Sequence, residues 1–378
     1  MSVRAGFRGR GYRLLGLAGL LLLGACGPAG ETGGEAAATT SQKVYRWRMI
    51  TTWPKNLPGL GAGPENLANR LREMSNGRLD IKVYGANELV GAFEVFDAVS
   101  QGSAQMGHGA AYYWRGKAPV AALFATIPFG MNAQEMNGWL HYGGGMELWR
   151  RLYAKFNLVP LAAGNSGAQM AGWFNKEINS LGDLEGLRMR IPGMGGEVLQ
   201  RAGGLPVSLP GDQVFTSLQT GVIDATEWVG PYNDLALGLF NAAKYYYYPG
   251  WHEPGPTLEA MVNKDAWDSL PRDLQLMIET TARMVNEDML SEFVARNNAA
   301  LKTLLEEHDV QLRRLPDDVL ERLHELSLDV VRESIGDDPL ALEIYESYMG
   351  FLRDVSSYHE ISEQAFLNVR SATLPEAE

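Results

Sequence analysis

Two stretches that can be laid over each other decide the fold, VSQGSAQMGHG (Val99–Gly109) and LQTGVIDATEW (Leu218–Trp228). In this alignment Gly102 falls on Gly221. Each copy has the pattern of a helix end, a glycine that can adopt the left-handed conformation, and a short strand of small residues. A βαβ unit that occurs twice predicts an α/β protein with two lobes, each built on one copy.

The ends of the two short strands predict where a ligand binds. In open α/β sheets ligands collect beyond the carboxyl ends of the strands. His108 and Glu227 come directly after the aligned pairs Met106–Gly107 and Ala225–Thr226. We therefore expect both side chains to face a cleft that the two lobes share.

The flanking sequence alternates between strand-like and helical patterns. It predicts the strands YRWRMITT and LDIKVY, and helices over about Pro64–Ser75 and Ala92–Gln101. After Pro271 the composition changes to long amphipathic helices, over about Arg272–Glu307, Pro316–Ile335 and Pro339–Asn368, with the strand VQLRRL between the first two. We expect these helices to brace both lobes, and the last could also pack against a second subunit.

The N-terminal segment has the pattern of an export signal. Four arginines, the last of them Arg13, precede the apolar run Leu14–Leu23, which is too short to span a bilayer. The string LLGAC resembles a bacterial lipobox, which predicts a signal peptide over 1–25 and a lipid on Cys26, the single cysteine of the chain. The alternative is a secretory signal cut nearby, with an incidental cysteine. Residues 26–43 contain little that can be buried and predict a flexible tether.

Charge and composition narrow the classes of partner. The formal net charge is −12, and no dense run of Lys and Arg follows residue 13, which argues against nucleic acid. Of all residues 46% are hydrophobic, and no long apolar stretch follows the leader. This composition predicts that the chain after the leader forms a globular body. A body of this size usually consists of two domains.

The stretch INSLGDLEGLRMRIPG contains two candidate anion-binding residues, Arg188 and Arg190. Residues two apart on a strand point to the same face, so one or both could reach the cleft. A guanidinium offers two parallel donors that match a carboxylate. An arginine on a strand can equally be a surface charge.

Acidic residues in two loops form a candidate cation site. Glu227 precedes Trp228 in DATEWVGPYND, and Glu253 lies in the Pro-Gly-bounded loop YYYYPGWHEPG. Calcium takes six to eight oxygen ligands, so these two acids, a main-chain carbonyl, Gln169 and the oxygens of a ligand would form a suitable set. Each acid could also be a solvated loop residue.

The sequence contains few of the patterns that are typical of an enzyme. The six histidines show no pair at metal-binding spacing, and the sequence has no G-x-S-x-G elbow, no P-loop and no cysteine nucleophile in the mature chain. An enzyme would need a general base that titrates near neutral pH, for which His108 and His252 are the candidates.

Several stretches of the chain resemble a known family of proteins. The stretches SLGDLEGLRMRIPG, GDQVFTSLQTGVIDATEW and YYYYPGWHEPG, together with ITTWPKN and YGANELVGAFEVFDAVSQGSAQMGHG, are similar to the DctP-like substrate-binding subunits of tripartite ATP-independent periplasmic (TRAP) transporters. The resemblance covers essentially everything after the tether. It is strongest to the branch that binds 2-oxo acids such as pyruvate, or lactate, together with a metal ion.

The resemblance implies roles for individual residues. Arg190 looks like the family's selectivity arginine, which pairs with the carboxylate of the ligand, whereas Arg188 has no family role and is interpreted as a surface residue. The implied metal ligands are Gln169, Glu227, Glu253 and the main-chain oxygen of Trp228. A carboxylate at position 253 favours Ca²⁺ over Na⁺.

The sequence and the resemblance together predict an α/β, two-lobed fold of the periplasmic binding protein type, with a ligand cleft between the lobes and long C-terminal helices. We expect lobe I over 44–165 and 248–270, lobe II over 166–247, and the bracing helices over 271–378. The lobes would close on the ligand by a hinge motion. Water would be excluded by aromatic residues of the cleft, namely Trp53, Phe93, Tyr112, Trp228 or Trp251.

The predicted function is that of an extracytoplasmic binding protein, not an enzyme. It would capture a small monocarboxylate with one metal ion and deliver it to the membrane permease subunits of a transporter, while Cys26 anchors it in the cell envelope. The sequence is also compatible with a homodimer. Two other functions remain as alternatives: an envelope lipoprotein that senses the same ligand, and a secreted metal-dependent enzyme that acts on oxo acids.

Overall fold

The computed structural model describes residues 43–373. The predicted signal peptide, Cys26 and the tether up to residue 42 therefore lie outside the described residues. Within 43–373, no helix is both long enough and apolar enough to cross a membrane.

The described chain alternates between strands and helices, as predicted. The strands are β1 (Tyr45–Thr51), β2 (Leu79–Tyr84), β3 (Met106–Gly109), β4 (Leu158–Asn165), β5 (Gly172–Phe174), β6 (Arg188–Arg190), β7 (Leu205–Val207), β8 (Ala225–Thr226), β9 (Tyr245–Tyr248), β10 (Thr257–Asn263) and β11 (Gln311–Arg314). The α-helices are α1 (Ala62–Met74), α2 (Val95–Ser100), α3 (Ala133–Tyr142), α4 (Gly145–Ala154), α5 (Gly193–Arg201), α6 (Gly211–Gln219), α7 (Pro231–Ala236), α8 (Lys264–Asp268), α9 (Arg272–Glu307), α10 (Asp317–Ile335), α11 (Pro339–His359) and α12 (Ala365–Thr373). Shorter 3₁₀ turns cover Ala92–Glu94, Ala111–Trp114, Pro119–Phe124, Leu181–Leu184 and Leu239–Asn241, and a π-helical turn covers Glu360–Gln364.

The strands form two sheets. The first has the order β2-β1-β3-β10-β4, with β1 parallel to β2 and β3, and β10 antiparallel to β3 and β4. The second has the order β11-β9-β5-β8-β6-β7, and its β6 runs parallel to both β7 and β8. The predicted α/β class is confirmed. All seven residues of β10 are buried, in keeping with its position between two other strands.

The two stretches aligned in the sequence have the same local structure. Gly102 and Gly221 both adopt the left-handed conformation, with φ of +77° and +72°. The residues three positions later, Gln105 and Asp224, each accept a hydrogen bond from a backbone N–H of the neighbouring element, at 3.0 Å from Arg48 and 3.1 Å from Arg188. Each sheet therefore contains one copy of the same helix–turn–strand device.

The long C-terminal helices were predicted closely, and they contact elements of both sheets. α9 packs against β4 of the first sheet and against α7, which follows β8 of the second. The helix predicted over Pro339–Asn368 instead consists of α11, the π-helical turn and α12, because the hydrogen-bond pattern changes at Glu360. β11 extends the second sheet, although it comes from the region predicted to brace the lobes. The lobe boundaries themselves stay a prediction.

A buried carboxyl lies in the middle of the first sheet. Glu259 of β10 is fully buried, and its Oε1 accepts hydrogen bonds from the indole of Trp114 and from the Tyr153 hydroxyl, whereas its Oε2 has no partner. Burial raises the pKa of Glu259 to about 7, and the two hydrogen bonds only partly oppose this shift. Below about pH 7 the folded protein therefore favours the protonated acid.

We expect Glu259→Gln to gain stability relative to the wild type as the pH rises. A folded-state pKa above the unfolded value contributes stability at low pH that is lost as the pH rises through about 7. The glutamine keeps an oxygen for Trp114 and Tyr153 but carries no charge, so the difference in unfolding free energy should grow by up to roughly 3 kcal/mol between pH 5 and pH 8.5. Urea unfolding across this range measures it, with the exposed Glu73→Gln as the control. A difference that does not change with pH would contradict the assignment.

Candidate functional site

The site begins where two parallel strands of the second sheet end. Arg190 is the last residue of β6, and Glu227 is the first residue after β8. The backbone N–H of Glu227 donates to the carbonyl of Arg190 at 3.2 Å, so the two side chains leave the same edge of the sheet. This is the edge at which α/β sheets usually bind ligands.

Two further loops reach the same place. Gln169 lies between β4 and β5, and Glu253 lies between β9 and β10. Gln169 donates its backbone N–H to the carbonyl of Glu253 at 3.2 Å and accepts from the N–H of Gly250 at 3.1 Å. A Cβ at Gly250 would stand 2.2 Å from the Gln169 carbonyl oxygen, so only glycine allows the loops to approach this closely.

The guanidinium of Arg190 is buried and held on several sides. Its Nη1 pairs with the Glu227 carboxylate, its Nε donates to the carbonyl of Leu209 at 3.1 Å, and its Cζ lies 5.0 Å from the centre of the Trp228 ring. Nη2 makes one long contact, 3.4 Å to the hydroxyl of Tyr113. Burial lowers the pKa of Arg190, but the attraction of Glu227 and the other neighbouring acidic groups outweighs it and raises the pKa above its ordinary value. The side chain is therefore a fixed, buried cation.

Three potential metal ligands lie together behind this cation. One donor atom each from Glu227, His252 and Glu253 lies within 4.8 Å of the others, and all three residues are buried. Burial and the nearby charge of Glu227 raise the pKa of Glu253 well above its ordinary value. Two buried acidic groups thus lie close together, and only Glu227 pairs directly with Arg190.

Several buried polar atoms of this cluster have no hydrogen-bond partner. They are Oε1 of Gln169, Oε2 of Glu227 and both ring nitrogens of His252. Nε2 of His252 lies 3.3 Å from Oε2 of Glu227, but the pair lacks hydrogen-bond geometry. Unpartnered buried oxygens are costly, and a hard cation binds such oxygens. The residues present therefore fit the metal ion that the sequence predicts.

Aromatic residues close a small cavity over the arginine. The cavity measures about 10 Å³, room for about one water molecule, and is lined by Trp53, Leu60, Tyr112, Tyr113, Ser166, Gln169, Arg190, Trp228, Val229 and Leu258. The indole of Trp53 donates to Nδ1 of His108 at 2.9 Å, and Nε2 of His108 lies 3.1 Å from the carbonyl oxygen of Ala163. Burial lowers the pKa of His108 to about 4, so this ring is neutral.

The structure brings most of the predicted site residues together. The cavity and the adjoining acidic cluster contain Arg190, Gln169, Trp228, Trp53, Tyr112, Glu227 and Glu253. Phe93 does not line this cavity but a neighbouring one beyond Tyr113. The expectation that His108 faces the cleft is wrong, because its ring lies behind Trp53. Arg188 is exposed and paired with Asp224 at 2.6 Å, as its interpretation as a surface residue predicts.

Three polar residues of the site, Tyr113, Ser166 and His252, were not predicted as ligand-binding or metal-binding residues. Tyr113 follows Tyr112 directly, and Ser166 is the first residue after β4, so the strand-end rule that selected Glu227 would also have selected Ser166. From the sequence, His252 is a candidate only for a general base. Its position beside Glu253 in the Pro-Gly-bounded loop was the available signal for a place in the cluster.

This chain is similar over most of its length to known solute-binding proteins. The family model described as bacterial extracellular solute-binding protein, family 7, matches residues 49–337. The chain is 42% identical, over 328 residues, to the monocarboxylate 2-oxoacid-binding periplasmic protein of Nostoc sp. (strain PCC 7120), covering 87% of this chain and 90% of that one.

Solved structures of TRAP periplasmic solute-binding proteins have the same fold. The protein from Colwellia psychrerythraea, with bound calcium and pyruvate, and that from Pseudoalteromonas atlantica, with bound sodium and pyruvate, each show 41% identity and a TM-score of 0.83, over 86% of this chain and 99% of theirs. The protein from Bordetella bronchiseptica shows 36% identity and a TM-score of 0.85, over 87% of this chain and 98% of its own. It is described as a mixed occupancy dimer, with copurified calcium and picolinate in the occupied site.

We expect Glu253→Gln to stabilise the protein in the presence of a chelator. The substitution removes one of two neighbouring buried carboxylates, while the glutamine oxygen can still accept from Nε2 of Gln169, which lies 2.8 Å from Oε2. The gain in unfolding free energy should be about 1 kcal/mol or more at pH 8, and the additional stabilisation by calcium should be reduced or lost. Thermal unfolding with chelator and with calcium measures both effects, with the exposed Glu185→Gln as the control. A variant less stable than wild type in chelator would contradict this account of the cluster.

Proposed function

Because the chain belongs to the bacterial extracellular solute-binding proteins of family 7, we propose that it captures a 2-oxo or 2-hydroxy monocarboxylate such as pyruvate or lactate and passes it to the membrane subunits of a TRAP transporter. The family consists of binding subunits of transporters, not enzymes. The observation that carries the proposal is the buried Arg190 beside a cluster of unpartnered metal-ligand atoms. The named ligands of the relatives in Nostoc and Colwellia support the choice of acid.

Arg190 binds the carboxylate of the acid. Its Nη2 makes one long contact and its Nη1 pairs with Glu227, so an incoming carboxylate competes with Glu227 for the guanidinium. A planar guanidinium holds a carboxylate with two parallel hydrogen bonds. Trp53, Tyr112 and Trp228 exclude water around this pair, which strengthens it.

The cation explains how an acidic site accepts an acid. When the ligand occupies Arg190, Glu227 loses its cationic partner and would remain as an uncompensated buried charge. Gln169, Glu227, Glu253 and the main-chain oxygen of Trp228 would hold the ion, which would neutralise the two carboxylates and contact the carboxylate and 2-oxygen of the acid. The ion and the acid therefore bind with positive coupling. Carboxylates at both 227 and 253 favour Ca²⁺ over Na⁺, although the relatives hold either ion.

The contacts of His108 argue against a role for this residue as a general base. A general base needs a free nitrogen within reach of the substrate. Both ring nitrogens of His108 are engaged, by Trp53 and by the carbonyl of Ala163, behind the cavity wall. His108 therefore supports the cavity wall and is not available as a general base.

Two further parts of the proposal concern assembly in the envelope. Cys26 would carry the lipid that holds the protein to a membrane. Near the C-terminal end of the helical segment Tyr358, Ile361 and Phe366 are exposed, with exposed fractions of 64, 76 and 60%. These apolar side chains would pack against a second copy of the chain in a homodimer. Light scattering would detect such a dimer. The mixed occupancy dimer of the relative in Bordetella supports this part.

We expect pyruvate and lactate to raise the melting temperature of the protein from about Gln42 onward when calcium is present, and to have little effect in chelator. Saturation at about 100 times Kd stabilises the folded state by roughly 2.7 kcal/mol, which a thermal-shift screen resolves. Arg190→Ala and Arg190→Lys should lose most of the shift, because neither offers two parallel donors.

The matched control for Arg190 is Arg188→Ala, two residues earlier on the same strand and exposed. It should bind as the wild type does. If no 2-oxo or 2-hydroxy acid shifts the melting curve with any cation, or if Arg188→Ala loses binding as severely as Arg190→Ala, the proposed site is wrong.

We also expect the full-length protein, expressed in a bacterium that processes lipoproteins, to fractionate with membranes and to incorporate a labelled fatty acid. Cys26→Ser should abolish the label and release the protein into the soluble fraction, because the chain contains no other cysteine. Equal membrane association of both forms would exclude the anchor while leaving the binding function intact.

A further inference from the structure

A buried asparagine, Asn233, connects the site to the loop that follows β1. It lies in α7, and its side chain is fully buried. Its Oδ1 accepts a hydrogen bond from the indole N–H of Trp228 at 3.3 Å, and its Nδ2 donates to the carbonyl oxygen of Pro58 at 2.7 Å. Both ends of the amide therefore have a partner, and the two partners lie far apart in the sequence.

The two hydrogen bonds of Asn233 join parts of the protein that belong to different sheets. Trp228 follows β8 of the second sheet, whereas Pro58 lies between β1 of the first sheet and α1. The next residue, Asp234, accepts a hydrogen bond from the hydroxyl of Tyr246 on β9 at 2.7 Å, and this contact fixes α7 to the second sheet. Asn233 is thus held on the side of the second sheet and reaches across to the first.

Each partner of Asn233 leads directly to a wall of the cavity around Arg190. The ring of Trp228 is one wall, with the Cζ atom of Arg190 5.0 Å from the ring centre. The carbonyl of Pro58 also accepts the backbone N–H of Leu60 at 2.7 Å, and Leu60 lines the same cavity. One side chain therefore positions a wall on each side of the cavity.

The two partners require a side chain that has both a donor and an acceptor. An indole N–H can only donate and a carbonyl oxygen can only accept, so the neighbours fix the orientation of the amide. A carboxylate at position 233 would still accept from Trp228, but it would place an oxygen against the carbonyl oxygen of Pro58. Leucine would serve neither partner. A buried polar group that loses its partner typically changes an equilibrium constant by about tenfold or more.

We propose that Asn233 is a positioning residue that holds the two sides of the site together around the bound acid and so slows its release. The inference deepens the proposed function and rests on it. The bond to Trp228 spans five residues within one connection, so it persists when the site opens by the predicted hinge motion. The bond to Pro58 joins the two sides and must break. Asn233 therefore acts on the dissociation of the acid, whereas Arg190 recognises the carboxylate.

Stopped-flow measurements with pyruvate and with lactate, in the presence of calcium, test this role, because they give the association and dissociation rate constants separately. Asn233→Asp and Asn233→Leu each lose the bond to Pro58. Both should raise the dissociation rate constant by about tenfold or more and change the association rate constant by less than about threefold. A residue that only supports the fold would lower the stability of the ligand-free protein without this division between the two rates.

The matched control is the same pair of substitutions at Asn241. The amide of Asn241 also donates to a main-chain carbonyl, that of Gly238 at 3.3 Å, but the residue is exposed and the contact stays within its own turn. Asn241→Asp and Asn241→Leu should bind and release the acid as the wild type does.

A double-mutant cycle tests the connection to the other wall. Trp228→Phe removes the indole N–H that Asn233 accepts but keeps a ring beside Arg190. Because this substitution already frees one end of the amide, Asn233→Leu should raise the dissociation rate constant at least about threefold less in the Trp228→Phe background than in the wild type. Strictly additive effects would overturn the connection between the two walls.

The outcomes separate this role from the proposed function. If the wild type binds pyruvate or lactate and the Asn233 variants release it as the Asn241 variants do, or lose affinity through the association rate constant alone, the role of Asn233 is overturned and the proposed function stands. If neither acid binds the wild type, both are overturned.

Discussion

The buried contact between Arg190 and Glu227 is the interaction around which this protein is arranged. Burying a charge is tolerable only when a partner of opposite sign is present. The site contains one fixed cation and two carboxylates, and it leaves oxygen and nitrogen atoms of Gln169, Glu227 and His252 without hydrogen bonds. The site is therefore incomplete without ligands. In the function that we propose, the affinity of the site for a carboxylate and its affinity for a cation would have one physical origin, because each ligand would compensate the charge that the other displaces.

The two sheets supply this arrangement with little irregular structure. Arg190 and Glu227 come from the ends of neighbouring parallel strands, while Gln169 and Glu253 come from two of the connections that pass between the sheets. Backbone hydrogen bonds tie Glu227 to Arg190 and Gln169 to Glu253, so main-chain contacts fix the two residues of each pair relative to one another. This accounts for the sequence pattern in which the site residues follow short strands or lie beside glycine and proline.

Much of this organisation could be predicted from the sequence. Periodicity located the long C-terminal helices, since α9 begins and ends where the amphipathic pattern does, and the repeated glycine turn identified equivalent strands in the two sheets. The strand-end rule placed Glu227 correctly and His108 wrongly. It specifies where a side chain leaves the sheet but not which neighbours it meets, and His108 meets Trp53 and Ala163. The sequence predicts Phe93 in the cavity with Arg190, but this residue lines the neighbouring cavity on the other side of Tyr113. The sequence does not specify on which side of Tyr113 an aromatic residue lies. The roles of Arg190, Gln169, Trp228 and Glu253 came from the family resemblance, since spacing alone left each of them as a plausible surface residue.

The order of the strands also constrains when the protein can fold. In the first sheet the edge strand β4 pairs only with β10. In the second sheet the edge strand β11 pairs only with β9. Neither sheet can therefore be completed until the chain has been synthesised, or has crossed a membrane, as far as residue 263 for the first and residue 314 for the second. Until then the chain exposes apolar strands whose partners do not yet exist, a state that invites aggregation. Both sheets can be completed only when the early and the late strands are in the same compartment. Export in the unfolded state meets this condition, because all strands then emerge on the same side of the membrane before the sheets form.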